Sequence, residues 1–251
     1  LTFSGTGILN TGGTPFFNQS GTSGTGTFTA GTGTVNFNLA GAQSIAPFAY
    51  TFNNVTFSGS GIKTTTNATV NGVLSMEGTA TASAAPTYGS AATLQYNTAT
   101  GRTAGTEWIT PFVATGGVII KNTGVITMGA AKVFSTSVPL TINTGATLTP
   151  GTNLLTLGGN FNNTGTLTSG SGGVTITGTS TTQSISGFTT TGTVSMTKTA
   201  GTATLTGNVN GGAFTLSGSG GTLNLGTKLT HTFTGAWTRT NGTLIGNSST
   251  L

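Results

Sequence analysis

The sequence predicts an all-β protein, specifically a parallel β-helix (β-solenoid) with about twenty residues per rung. Three observations predict it. The chain repeats itself, short apolar–polar–apolar triplets recur at a near-constant step, and the composition supplies strand and turn residues with very few helix formers or charges.

The repetition has two scales. Thr25–Gly31 (TGTFTAG) returns as Thr164–Gly170 (TGTLTSG), Val35-Asn36-Phe37 as Val174-Thr175-Ile176, Gln43-Ser44-Ile45 as Gln183-Ser184-Ile185, and Val70-Asn71-Gly72 as Val209-Asn210-Gly211. The offset within these pairs is constant to one position, which marks an internal duplication of approximately 25–76 and 164–216 within one solenoid spanning 1–251. Trp237 to Leu244 begins a third copy. Within each copy, triplets such as Val174–Ile176, Val194–Met196 and Phe214–Leu216 fall twenty apart, as nearly do Val35–Phe37, Val55–Phe57 and Leu74–Met76. Each triplet has the period-two pattern of a strand with one buried face. Strands this short cannot bury their apolar face alone, so successive turns must stack. Chain length then gives on the order of twelve turns and a rod roughly 60 Å long at the spacing of paired strands.

Composition agrees. Of 251 residues, 62 are Thr, 43 Gly, 21 Ser and 20 Asn, and only nine are charged. Thr, Val, Ile and Phe suit a pleated, half-buried surface, and Gly and Asn suit turns that need positive φ. A hydrophobic content of 34% supplies a core, which distinguishes the chain from a disordered one. From about residue 77 to 117 the step is lost, and Tyr88, Tyr96, Arg102, Glu107, Trp108 and Phe112 concentrate there. This stretch reads as an irregular aromatic-rich insertion, a locally folded loop anchored by its rings.

Several function classes are disfavoured. The seven basic residues are scattered, whereas phosphate binding needs them clustered, so nucleic acid is not an expected partner. No apolar run approaches the roughly 18 residues of a membrane helix, and no membrane insertion is expected. Without Cys there is neither a disulfide framework nor thiolate chemistry. The start at Leu1, without Met, reads as a processed product or an interior piece of something longer.

Gly26–Phe37 (GTFTAGTGTVNF), Ala42-Gln43-Ser44-Ile45, Tyr50–Phe57 (YTFNNVTF), and Ala92–Asn97 (ATLQYN) with Thr106-Glu107-Trp108 together resemble the repeats of very large secreted bacterial surface proteins. The resemblance covers essentially the whole chain. It implies adhesin-like parallel β-helix repeats with a matrix or adhesive role outside the cell, and no common active site to carry over.

The residues for familiar chemistry are missing. Polysaccharide-active β-helices use clustered carboxylates or calcium, and this chain has no Asp and two Glu, Glu77 and Glu107, far apart in the sequence. Arg102 and Glu107 read as a local ion pair. His231 has no partner for a triad or metal set and reads as a strand residue, on the surface or hydrogen-bonded within. No catalytic residue, metal or cofactor is expected. Six N-x-[ST] sequons, at Asn18, Asn54, Asn67, Asn162, Asn241 and Asn247, are about what so Ser/Thr-rich a chain produces by chance.

The expected function is a structural extracellular rod, part of a bacterial surface fibre, matrix or adhesin stalk, without catalysis. Its expected partners are further copies, end to end or laterally, or the continuing chain. The end-to-end contacts are expected at Leu1, Phe3, Leu244 and Leu251, where alternating strand pattern runs to both ends without a polar or helical cap. The alternatives are a binding module and, more remotely, a polysaccharide-active enzyme. As a module the chain takes surface glycans through Tyr88, Tyr96 and Trp108, or ice through a Thr-rich face. The Thr-x-Thr pairs at Thr175–Thr177, Thr202–Thr204 and Thr230–Thr232 do not keep one rung step, which counts against the ice version.

Overall fold

The alternating triplets form strands of two to five residues, all paired in parallel. The computed structural model describes residues 5–13, 28–45 and 49–251. Leu1 and Phe3, the sequon at Asn18 and the Thr25–Thr27 part of the repeat lie outside them. Each coil lays down three short strands on three faces. One face is a continuous twelve-stranded sheet running from Ile8–Thr11 to Thr243–Ile245. The second face carries sheets of three, four and three strands, and the third carries sheets of three and six. The fold is a parallel β-solenoid, as the triplet spacing predicts.

Register shows how the core is filled. On the long sheet Val35, Val55, Leu74, Leu94, Val118, Leu140, Phe161, Ile185 and Leu205 stack as one inward column, every one buried. Burying a side chain of this size contributes about 1.5–3 kcal/mol, and here each packs on its counterpart in the next coil. Aromatic rings add edge contacts: Phe37 meets Phe52 and Phe57 with centroids 5.9 and 5.8 Å apart.

The step between coils is not constant. Along the twelve-stranded sheet from Val35 onward it is shortest from Val55 to Leu74 and longest from Leu94 to Val118 and from Phe161 to Ile185. The stretch 77–117, expected as an irregular insertion, is threaded into the coil. Its strand Thr93–Asn97 pairs with Val73–Met76 on one side and Gly117–Lys121 on the other. Thr87–Tyr88 and Arg102–Thr103 also join ladders. The irregularity is a lengthened coil. Its inward positions hold Tyr96, Glu107 and Trp108 in place of aliphatic residues, so the apolar period disappears from the sequence while the hydrogen-bonded period persists.

The long repeat also acquires a geometric meaning. Val35–Phe37 lies on the twelve-stranded sheet, but its counterpart Val174–Ile176 lies on the third face. Gln43–Ser44 is on the second face, whereas Thr182–Ile185 is on the twelve-stranded sheet. Ala68–Val70 on the third face corresponds to Val209–Gly211 on the second. The long repeat is therefore not a whole number of coils, and equivalent sequences are displaced by one face.

Close stacking makes some glycines obligatory. At Gly117 φ is +70°, and an added Cβ would collide with the Pro139 carbonyl oxygen of the next coil. At Gly145 φ is +82°, but nothing lies within 4 Å of the added atom. We expect Gly145→Ala to lose only the left-handed backbone cost of about 1–2 kcal/mol. Gly117→Ala should lose clearly more, because the coil above must move. Denaturant midpoints of the two variants compare them directly, and equal losses would show that inter-coil contact at Gly117 is not limiting.

Candidate functional site

The densest polar cluster is built where the coil lengthens. Alternation in Thr93–Asn97 turns Leu94 and Tyr96 inward together. The following turn, Gly105-Thr106-Glu107-Trp108, is closed by the Trp108 amide on the Gly105 carbonyl. It places Glu107 and Trp108 inside the solenoid, both essentially inaccessible. Glu107 Oε1 accepts from the Tyr96 hydroxyl at 2.9 Å and from the Gly105 amide at 2.9 Å, and it lies 4.0 Å from the Arg102 guanidinium. The Glu107 carbonyl accepts from the Tyr88 hydroxyl at 2.7 Å. Arg102 donates to the Ala80 carbonyl and spans the Tyr96 ring, its Cζ 5.7 Å from the centroid. Lys132 donates to the Trp108 carbonyl and sits 5.4 Å from that indole's centre.

Burial raises the pKa of Tyr96 and of Tyr88 well above the ordinary phenol value, and the Glu107 carboxylate adds to both. Burial lowers that of Lys132, partly countered by Glu107. The expected Arg102–Glu107 ion pair exists, but in the core and not on a surface loop. Among the described residues four polar atoms of the cluster make no hydrogen bond: Arg102 Nε and Nη1, Glu107 Oε2 and Trp108 Nε1.

This geometry corrects one expectation. Tyr96 and Trp108 are core residues, and the half-buried Tyr88 turns its hydroxyl inward, so none of the three offers a ring face to a glycan. The reason is the same alternation that makes the strand. Glu77 lies apart from this cluster, partly exposed, accepting from Ser75 and Asn97 on the outside of the coil. Among the described residues no three His, Cys, Asp or Glu side chains come together. His231 is buried, with Nδ1 accepting from the Val209 amide and Nε2 against the Leu225 carbonyl. That pairing assigns the proton to Nε2 and makes His231 a link between coils.

A second device recurs at the corners. One side-chain donor reaches back to two carbonyls, i and i+2, of the preceding coil. Gln43 holds Thr11 and Gly13, Lys63 holds Leu39 and Gly41 and Gln183 holds Leu157 and Gly159; the Thr190 hydroxyl lies within reach of both Gly170 and Gly172 but has one proton to give to either. Gln43 and Gln183 are counterparts in the long repeat, so the same bond is made on different faces. Lys198 is the exception, fully buried with no partner for Nζ among the described residues.

The outer surface carries one ordered feature that sequence reading missed. On the last four strands of the six-stranded sheet, outward residues of successive coils form rows Thr175/Thr177, Ser195/Thr197, Thr215/Ser217 and Thr238/Thr240, whereas its first two strands present Val133 and Thr156 in the same column. All eight positions are hydroxyl residues in register, half-buried or exposed. None of their hydroxyls hydrogen-bonds within the described residues, whereas those of Thr164, Thr168, Thr191 and Thr206 bond backbone carbonyls. The Thr-x-Thr pairs compared in the sequence belong to three different faces: Thr175 is on the six-stranded sheet, Thr202 on the twelve-stranded one and Thr232 on the second face. Accepting Ser for Thr, and a longer last step from Thr215 to Thr238, would have found the array. A shallow surface notch of about 240 Å³ lies elsewhere, lined by Ser137, Gly159, Asn160, Ser180, Thr181 and Thr182.

Comparison with protein-family models, curated proteins and solved structures finds no match.

The buried groups generate two stability predictions. Glu107→Ala should cost about 3–5 kcal/mol in urea unfolding, because it strands Arg102 and the Tyr96 hydroxyl in the core; a loss under about 1 kcal/mol would show that water reaches the cluster. Lys198→Met should stabilise the protein at pH 7 by on the order of 1 kcal/mol, since an unpartnered buried donor is removed. Burial lowers the Lys198 pKa from its ordinary 10.5. Between the lowered value and 10.5 the unfolded chain holds more protons, so wild-type stability rises with pH there. Melting curves from pH 7 to 10 should show a smaller rise in the variant.

Proposed function

We propose that this chain is a non-catalytic structural segment of an extracellular rod, part of a bacterial surface fibre, matrix or adhesin stalk. The observation that carries the reading is the ladder itself. Twelve strands stack in one uninterrupted parallel sheet, roughly 55 Å of rod at about 4.8 Å per strand. Several polar groups inside the solenoid hold one coil to the next, His231, Gln43, Lys63 and Gln183 bonding to backbone, while Glu107 bonds to Tyr96 and Gly105 within its own lengthened coil. The resemblance to repeats of large secreted surface proteins supports the same role and an extracellular location.

The last coil supports association along the axis. Its strand Thr243–Ile245 pairs with Thr222–Asn224 on one side. Trp237, Ile245 and Leu251 are exposed there, and Leu244 is half-covered. An open parallel edge with apolar residues beside it is a template for another strand, from the continuing chain or a second copy. Leu244 and Leu251 are the contact residues in either case; Leu1 and Phe3 lie outside the described residues.

Negative-stain electron microscopy and light scattering of the purified chain test the association. Rods should lengthen with protein concentration in steps of one chain, and Leu244→Lys with Leu251→Lys should shorten them. Monodisperse single particles at high concentration would remove self-association from the reading.

A further inference from the structure

We propose that the hydroxyl-lined face of the six-stranded sheet binds ice. The inference is independent of the rod reading, because it concerns a lateral face and requires no contact between chains.

The argument begins with order. Rows on this face are separated by about 4.8 Å and the two hydroxyl columns by about 6.7 Å, the spacings of neighbouring strands and of alternate residues within one. Both repeats are held by the backbone ladder from Val174–Ile176 through Trp237–Arg239. The result is a two-dimensional array on a rigid support. A soluble, flexible glycan has no lattice that such an array could match. Solid water does.

The chemistry of the positions agrees. A hydroxyl donates one hydrogen bond and accepts two, so it can occupy the place of a water molecule in a hydrogen-bonded lattice. These hydroxyls are free to do so, since none is spent on a protein partner within the described residues. The threonines also present methyl groups between the hydroxyls, which limits competing orientations of the adjacent water. No charged side chain interrupts the rows. Lys198, beside Thr197, is buried, and Arg239 is folded onto the Gly242 carbonyl. Ammonium groups would hold their own strong hydration shells and break up a lattice.

Threonine abundance alone does not account for the array. On the twelve-stranded sheet the corresponding outward column runs Asn36, Thr56, Ser75, Gln95 and Ile119. There the amides are used internally: Asn36 donates to Asn10, and Gln95 donates to Ser75. The same composition thus yields one mixed, self-satisfied face and, on the last four strands of the six-stranded sheet, one run of unsatisfied hydroxyls. The eight outward positions hold no aromatic ring, and the partly exposed Trp237 of the last strand stacks on Phe214 at 5.2 Å on the core side, which sets the face apart from a crystalline-polysaccharide surface that rings would stack upon.

The test is partition of the purified chain into slowly growing ice. Wild-type protein should concentrate in the ice fraction, and the double variant Thr177→Lys with Thr197→Lys should remain in the liquid like a non-binding control. Thr204→Lys, on the twelve-stranded sheet, should partition like wild type, and far-ultraviolet circular dichroism should show all three folded. Exclusion of the wild type from ice, or unchanged partition of the double variant, would overturn the proposal. Retention on microcrystalline cellulose by wild-type protein that ice excludes would overturn it in favour of a polysaccharide surface. Should the double variant fail to fold, Thr197→Val, which removes one hydroxyl and keeps the shape, must by itself reduce partition, and unchanged partition would equally count against the proposal.

Discussion

Each coil of this protein depends on its neighbours for its backbone hydrogen bonds. A strand of two to five residues cannot satisfy its own amides and carbonyls, and buried backbone groups left unpaired are costly. The parallel ladder meets that demand over the straight segments, and its constant spacing stacks like side chain on like side chain. Most other features answer the same demand where the ladder fails, at the corners. There the chain turns and its carbonyls point away from regular partners. Gln43, Lys63 and Gln183 each close two of them, and Thr190 closes one of two within its reach. The side chains differ, but all place a donor at the same spot one coil along.

The Glu107 cluster is the same problem at larger scale. Lengthening the coil between Leu94 and Val118 opens interior volume and adds turns whose backbone must be satisfied. Large rings fill the volume: Tyr96 lies 5.8 Å from Trp108, which lies 5.9 Å from Phe134. Polar ends of Tyr88, Arg102, Glu107 and Lys132 close the exposed peptide groups. A charged cluster in the core is an expensive way to do this. It also specifies one arrangement, because Glu107 accepts only where Tyr96 and Gly105 both point at it.

The long repeat illustrates how little the three faces differ. Equivalent sequences sit on different faces, displaced by one, and still make equivalent bonds. Every strand presents the same two faces, one to the core and one to water, so a segment that folds on one side of the solenoid folds on another. The outward positions are where the faces part company, as the last four strands of the six-stranded sheet and the twelve-stranded sheet show.

Periodicity and composition determined the fold class, the near-twenty-residue coil and most of the core, because a half-buried strand writes its burial into alternate residues. Val35, Val55, Leu74 and Leu94 were legible in this way. Tyr96 was legible in principle, since it alternates with Leu94, but a polar aromatic beside Arg and Glu reads equally well as a surface site. The tertiary structure alone decided that Tyr88, Tyr96 and Trp108 serve the core, that residues 77–117 continue the coil, and which Thr-x-Thr pairs share a face. All three depend on how much chain separates neighbouring strands. Turns absorb changes in that length, as between the short step from Val55 to Leu74 and the long one from Leu94 to Val118, without leaving an apolar period in the sequence. Hydrogen-bond register between coils, not spacing along the chain, sets which residues become neighbours.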